Sequence, residues 1–340
     1  MATPVIRYCA SPAGRIAWSA TGSGPPLLIE PGWVTHLTGQ LELFDFSAFL
    51  ARLTRSWTVI RYDKPGCGLS DRDGVDLSFD SQVAAAMAVA DAAGAARFAM
   101  YGASQGGQIA AAIAARHPDR VQALALYGTC ADGADLAPPE VRESIVALVR
   151  AHWGIGSKLM TGIFVDDPSA AEVEEFRRLQ RDSATSQVAA DMLASYYGTS
   201  VRDLLPQITA PTTVLHREQD SATRFKLGRE VAALIPGAAL VPLPGTGHLF
   251  YYGDWQPGAD ALVSFLQGTG GPQPRLTPRE LEVARLVCQG MTDQAIASTL
   301  TIAPRTAAAH VENIRRKLAI RSRAQIAAWM TEHDPRTAAR

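Results

Sequence analysis

The chain has 340 residues, 47% hydrophobic and 19% charged, which excludes a disordered protein and leaves room for more than one buried core. Its net charge of −1 hides a division. Residues 272–340 carry 11 Lys and Arg against 6 Asp and Glu, whereas residues 1–271 carry 21 against 27. No apolar run approaches the ~18 residues of a membrane span, and the N-terminus lacks the basic-then-apolar layout of a secretory signal. Cys9, Cys67, Cys130 and Cys288 are scattered with no C-x-x-C. No metal, cofactor or disulfide framework is therefore expected, and a reducing cytoplasm is the simplest setting.

In chain order, short β-branched or apolar runs predict strands at 4–9, 15–20, 26–30, 58–63, 98–102, 121–128, 212–216 and 239–243. Helical patterns fill most of the gaps, among them 80–94, where Gly94 reads as a C-cap, and 106–118. Strands alternating with helices imply βαβ units and a mostly parallel sheet, an α/β fold. Residues 131–208 break the rhythm with helical patterns alone and predict a helical cap over the C-terminal edge of the sheet, where such sheets bind ligands. The stretch QGTGGPQP, rich in Gly and Pro, reads as a linker, placed at 269–275.

Gly102-Ala103-Ser104-Gln105-Gly106 has the form G-x-S-x-G between a predicted strand and a predicted helix, a turn that can expose a serine nucleophile. A serine needs a base, and the base needs an orienting carboxylate. Asp220 and His248 each follow a predicted strand, in the order Ser…Asp…His, with Glu218 and Asp132 as alternative acids. Oxyanion donors are expected from the backbone N–H groups of Gln105 and Trp33. His36 near that loop, and Trp153, Tyr196 and Tyr197 in the cap, are candidates for lining the pocket. With RYDKPGCGLSD at 61–71 added, residues 1–268 resemble an α/β-hydrolase. One departure is Pro31-Gly32, where that family commonly has His-Gly.

Beyond the linker, residues 276–335 read as a small all-α unit of four helices. Thr277, Pro278 and Glu280 start the first and Gly290 ends it. Thr292 caps the second (292–300), and 304–319 and 322–330 follow. Leu281, Ala284, Leu286, Ile296, Leu300, Val311, Ile314 and Leu318 supply a core. Helix, turn and a longer basic helix form a helix-turn-helix, and the run LTPRE…G…IA…L…I…T…H…I…KL…R closely resembles the LuxR-type DNA-binding domain. The resemblance implies base-facing positions at Ala308, Ala309 and Glu312, and phosphate contacts from Arg305, Thr306, Arg315, Arg316, Lys317 and Arg323. Ala303 stands where the family has a capping Ser, and Ala307-Ala308 where it has Val-Lys.

These signals together predict a ligand-responsive transcriptional regulator that binds double-stranded DNA as a homodimer, with the last helix as the contact. Its ligand would be a small, largely apolar ester- or lactone-like molecule. The alternative is an active serine hydrolase working through Ser104, His248 and Asp220. A third reading, in which the tail only oligomerises a hydrolase, is disfavoured by the basic third helix.

Overall fold

The computed structural model describes residues 4–269, 276–317 and 322–333. Two compact units divide the chain, Met1–Gly271 and Pro272–Arg340. Most of the expected linker, Leu318 and the side chain of Arg316 lie outside the described residues.

All eight predicted strands form, as β1 (Arg7–Ser11), β2 (Gly14–Thr21), β3 (Pro26–Glu30), β4 (Thr58–Tyr62), β5 (Phe98–Ala103), β6 (Val121–Tyr127), β7 (Thr212–Arg217) and β8 (Ala239–Leu243). They make one sheet in the order β1-β2-β4-β3-β5-β6-β7-β8. The first two strands pair antiparallel, and the other six run parallel. The central strands are buried on both faces, which is why they read as unbroken apolar runs. Period-two alternation assigns Phe98 and Met100 to one core, and Ala99 and Tyr101 to the other.

Helices cover both faces. α1 (Phe46–Leu53) buries Phe46, Phe49, Leu50 and Leu53, each contributing about 1.5–3 kcal/mol. α2 (Phe79–Ala92) starts where the Ser78 hydroxyl accepts from the Ser81 N–H, and Gly94 follows its end with a φ of 69°. α3 (Gln105–Arg116) packs on β5 and β6. Between β6 and β7 the chain leaves the sheet for the cap helices α4 (Pro139–Ala151), α5 (Trp153–Phe164), α6 (Ala170–Ser183) and α7 (Ser186–Gly198). α8 (Phe225–Leu234) and α9 (Gln256–Gly268) complete the unit.

The second unit holds α10 (Pro278–Cys288), α11 (Asp293–Leu300), α12 (Pro304–Lys317) and α13 (Arg323–His333). A reciprocal capping box between Thr277 and Glu280 starts α10, and the Thr292 hydroxyl caps α11. Ala284, Ile296, Val311 and Ile314 are buried together, and Leu281, Leu286 and Leu300 pack around them half-buried. Sequence periodicity missed Val283, Val287, Ile326 and Met330, which complete this core.

Candidate active site and DNA-binding helix

Ser104 stands between β5 and α3 with φ 54° and ψ −124°, a strained conformation for a residue with a side chain. Its N–H donates to the Tyr127 carbonyl at 2.8 Å, fixing the turn against the neighbouring strand. The turn closes this tightly because Gly106 has no side chain. A methyl group there would come within 2.3 Å of the Pro31 carbonyl, so the elbow and the Pro31-Gly32-Trp33 loop are packed backbone to backbone. Gly32 lies beside Ser104. Gln105 is buried, its side chain accepting from Lys64 Nζ and donating to the Met192 carbonyl, both at 3.2 Å. Trp33 Nε1 donates to the Ala189 carbonyl of α7 at 3.0 Å. The two expected oxyanion residues are thus each tied to the cap.

Asp220 and His248 meet at the same edge. Asp220 Oδ1 accepts from the N–H groups of Ala222 and Thr223, each at 2.9 Å, and Oδ2 lies 2.8 Å from His248 Nδ1. Both side chains are buried. The alternative acids are placed otherwise: Glu218 is exposed, and the Asp132 carboxylate caps its own turn through the Ala134 N–H. Gly128, with a φ of 54°, passes beneath the pair, where a methyl group would lie 3.1 Å from His248 Cε1.

Buried charge holds these loops. Arg217, at the end of β7, donates to the Gly247, Leu249, Phe250 and Tyr252 carbonyls, clamping the loop that carries His248. His216 Nε2 lies 2.7 Å from the Thr223 carbonyl beside Asp220, and burial holds its pKa below the usual histidine value. Behind the elbow, burial raises Glu30 to about 7 and lowers Lys64 to about 8, although each charge favours the other. Tyr62 donates to Glu30 at 2.5 Å.

Ser104 and His248 line two cavities. The first runs past Glu30, Phe46, Phe49, Tyr101, Tyr127 and Gln180. The second lies against the cap and includes Ile145, Met160, Leu193, Tyr196 and Tyr197. Tyr196 and Tyr197 therefore stand where the sequence expected them, and the Tyr196 hydroxyl sits 3.6 Å from Cys130 Sγ. Trp153 does not line either cavity. Its ring packs edge-on to Trp33 at 5.6 Å and its Nε1 donates to the Ala184 carbonyl, so it backs the pocket wall. His36 is also elsewhere, its Nδ1 accepting from the Gly39 N–H and its ring facing a separate hollow with Glu42 and Arg178. Sequence reasoning missed Tyr101 and Tyr127, though alternation at the ends of two central strands could have found them. It had no signal for Arg217 or Lys64.

On α12, Arg305, Thr306, Ala308, Ala309 and Glu312 are exposed and Ala307 is buried, which fixes the outward face of this helix. Arg315 pairs with Glu312 at 2.8 Å. Two side chains expected to contact phosphates also form ion pairs inside the unit. Lys317 Nζ lies 2.6 Å from Glu280, and Arg323 bonds Asp293 and the Met291 carbonyl. Each thereby joins a later helix to the start of an earlier one. Among the described residues no helix is long and apolar enough to cross a membrane, and no cluster of three metal-ligating side chains occurs.

A nucleophile elbow, an acid–histidine pair at the sheet edge and a helical cap define a hydrolase-type fold. The chain belongs to the α/β-hydrolase fold family, whose profile matches residues 25–254, and it carries at 274–330 a domain of the bacterial regulatory proteins of the LuxR family. It is similar to pyrrolizixenacetamide deacetylase of Xenorhabdus hominickii, 26% identical over 262 residues that cover 74% of this chain and 94% of that one. The crystal structure of a hydrolase from Pseudomonas aeruginosa PA01 matches with a TM-score of 0.67 at 26% identity, over 77% of this chain and 98% of the other. The C-terminal part is 34% identical over 83 residues to a Mycobacterium bovis protein named as an HTH-type transcriptional regulator, covering 21% of this chain and 9% of that longer one.

Proposed function

We propose that the chain is a ligand-responsive transcriptional regulator. A small ester- or lactone-like molecule occupies the cavities that meet at Ser104, and α12 binds double-stranded DNA. The observation that carries this reading is the union, in one polypeptide, of a LuxR-type domain and a hydrolase-fold unit whose cavities meet at Ser104. The exposed face of α12 supports the DNA half. Its small Ala308 and Ala309 suit thymine methyl groups, Glu312 suits cytosine N4, and Arg305 and Thr306 suit phosphates. Regulators of this type act as homodimers, and α13 is the proposed contact. Gel shift on DNA from upstream of the chain's own coding sequence tests this reading, comparing residues 1–340 with 1–271. Only the longer protein should bind, and equal affinity would defeat it.

A second reading has its own support. The strained Ser104 and the 2.8 Å His248–Asp220 contact suit acyl hydrolysis, and the similarity to a deacetylase points the same way. In that reaction Ser104 Oγ attacks the carbonyl carbon while His248 Nε2 takes its proton, and Asp220 stabilises the imidazolium. The N–H groups of Trp33 and Gln105 receive the oxyanion. His248 returns the proton to the leaving group, and water repeats the sequence to free the acid. A fluorophosphonate should label the protein and leave Ser104→Ala untouched. Absence of both an adduct and ester turnover would leave Ser104 a binding residue only.

A further inference from the structure

The cavity that runs past Tyr101 and Tyr127 is not uniformly apolar. The β5–β6 register sets Tyr127 beside Ala103, the residue before Ser104, and sets Tyr101 beside Ala125. Both rings therefore leave the sheet on one face, where each packs edge-on against Phe250, at 4.7 Å for Tyr127 and 5.6 Å for Tyr101. They are 1% and 3% exposed, and neither hydroxyl has a hydrogen-bond partner. From the cap, Gln180 spends its Nε2 on the Ser157 carbonyl, Thr161 Oγ1 and the Phe176 carbonyl, while its buried Oε1 has no partner. All three residues line the cavity that holds Ser104. A buried donor or acceptor without a partner is costly, and proteins pair nearly all of them. These three groups, with Glu30 Oε1 as a fourth unpartnered atom on the same cavity, call for a partner that the chain itself does not supply.

We propose that this cavity receives the acyl arm of the ligand, and that this arm ends in a neutral group that both donates and accepts hydrogen bonds. A hydroxyl or carboxamide there would meet Tyr101 and Tyr127, with Gln180 offering a further acceptor. The inference rests on the sensor reading above and narrows it, from a largely apolar ligand to one with a polar end on an apolar arm. The arm lies among Phe46, Phe49, Phe164 and Phe176. A carboxylate is disfavoured at that end. Arg217, the guanidinium whose charge acts on both tyrosines, is already spent on four carbonyls, and the carboxyl group of Glu30 lines the same cavity.

The test is calorimetric, on full-length Ser104→Ala protein so that no ester is consumed, with phenyl hexanoate, phenyl 6-hydroxyhexanoate and phenyl hydrogen adipate. The hydroxy ester should bind about tenfold tighter than the hexanoate, the worth of one or two neutral hydrogen bonds, and the adipate should bind weakest. Adding Tyr101→Phe or Tyr127→Phe should shrink that preference toward unity. Neither change removes a hydrogen bond from the folded chain, so each variant should keep its melting temperature. Equal binding of hexanoate and hydroxy ester would overturn the inference while the sensor reading stands. A preference that survives both Phe variants, or tightest binding by the adipate, would overturn it too. Failure of all three esters to bind would remove the sensor reading together with it.

Discussion

The two units handle charge in opposite ways. The hydrolase-fold unit buries Glu30, Arg61, Asp63, Lys64, Arg217 and Asp220, whereas Glu280 is the one charged side chain buried among the described residues of the helical unit. In the first, charge fixes backbone that would otherwise be free to move, and the candidate chemistry inherits part of its geometry from Arg61, Asp63, Lys64 and Arg217, which line neither cavity. In the second, charge is kept on the surface where a polyanion can reach it, and the fold rests on a small apolar core. A site built from strain and buried charge should be brittle. A site built on an exposed helix face should lose function without losing stability.

Arg217→Leu is the strongest way to test that contrast. Four carbonyls of the His248 loop lose their donor, so urea unfolding should show a loss of about 3–5 kcal/mol, and fluorophosphonate labelling of Ser104 should fall with it. Glu30→Gln comes next. Burial raises Glu30 from 4.5 to about 7, so the folded chain holds a proton there that the unfolded chain releases over that range. The contribution to stability is complete below pH 4.5 and is lost as pH rises through 7, by on the order of 3 kcal/mol. The glutamine variant should flatten that part of the stability curve, and an unchanged slope would assign it to another group.

Ser104→Gly should raise stability by about 1–2 kcal/mol, because glycine adopts φ 54°, ψ −124° without strain, while any serine chemistry disappears. A loss of stability would mean that the elbow stores no strain. The helical unit gives the smallest effects. Lys317→Ala should cost ~1 kcal/mol or less, since its partnership with Glu280 is half exposed. Arg305→Ala should leave unfolding unchanged yet lower the salt slope of DNA binding by about 1. If Lys317→Ala lowered that slope and Arg305→Ala did not, the assignment of these two side chains would be reversed.

Much of this was legible beforehand. Strand positions were readable because each apolar run fills one strand, the central ones buried on both faces, and the capping box at Thr277 was readable because its signature is local. Ser104, Asp220 and His248 could be placed on one edge because each ends or follows a parallel strand. What escaped depended on contacts distant in sequence. Trp153 looked like a pocket residue from its cap location, but its ring is turned behind Trp33. His36 is close to the oxyanion loop in sequence and faces another hollow. Lys317 and Arg323 belong to a basic run that reads as a phosphate-binding face, and the run gives no sign that Glu280 and Asp293, more than 25 residues earlier, pair with them. Sequence shows that a charge exists; only the fold shows which neighbour it answers to.

Trp33 lines both cavities, packs edge-on against Trp153 and Phe164, and hangs from the Ala189 carbonyl by its indole N–H. The chain therefore carries its own optical reporter. A molecule arriving at Ser104 would change the polarity around that indole, and a cap that shifted would break its hydrogen bond. Both events alter emission wavelength and intensity. The difference spectrum between the native chain and Trp33→Phe would isolate this signal from the other five tryptophans. Occupancy of the pocket could then be followed, without any added label, while the same molecule is bound to DNA.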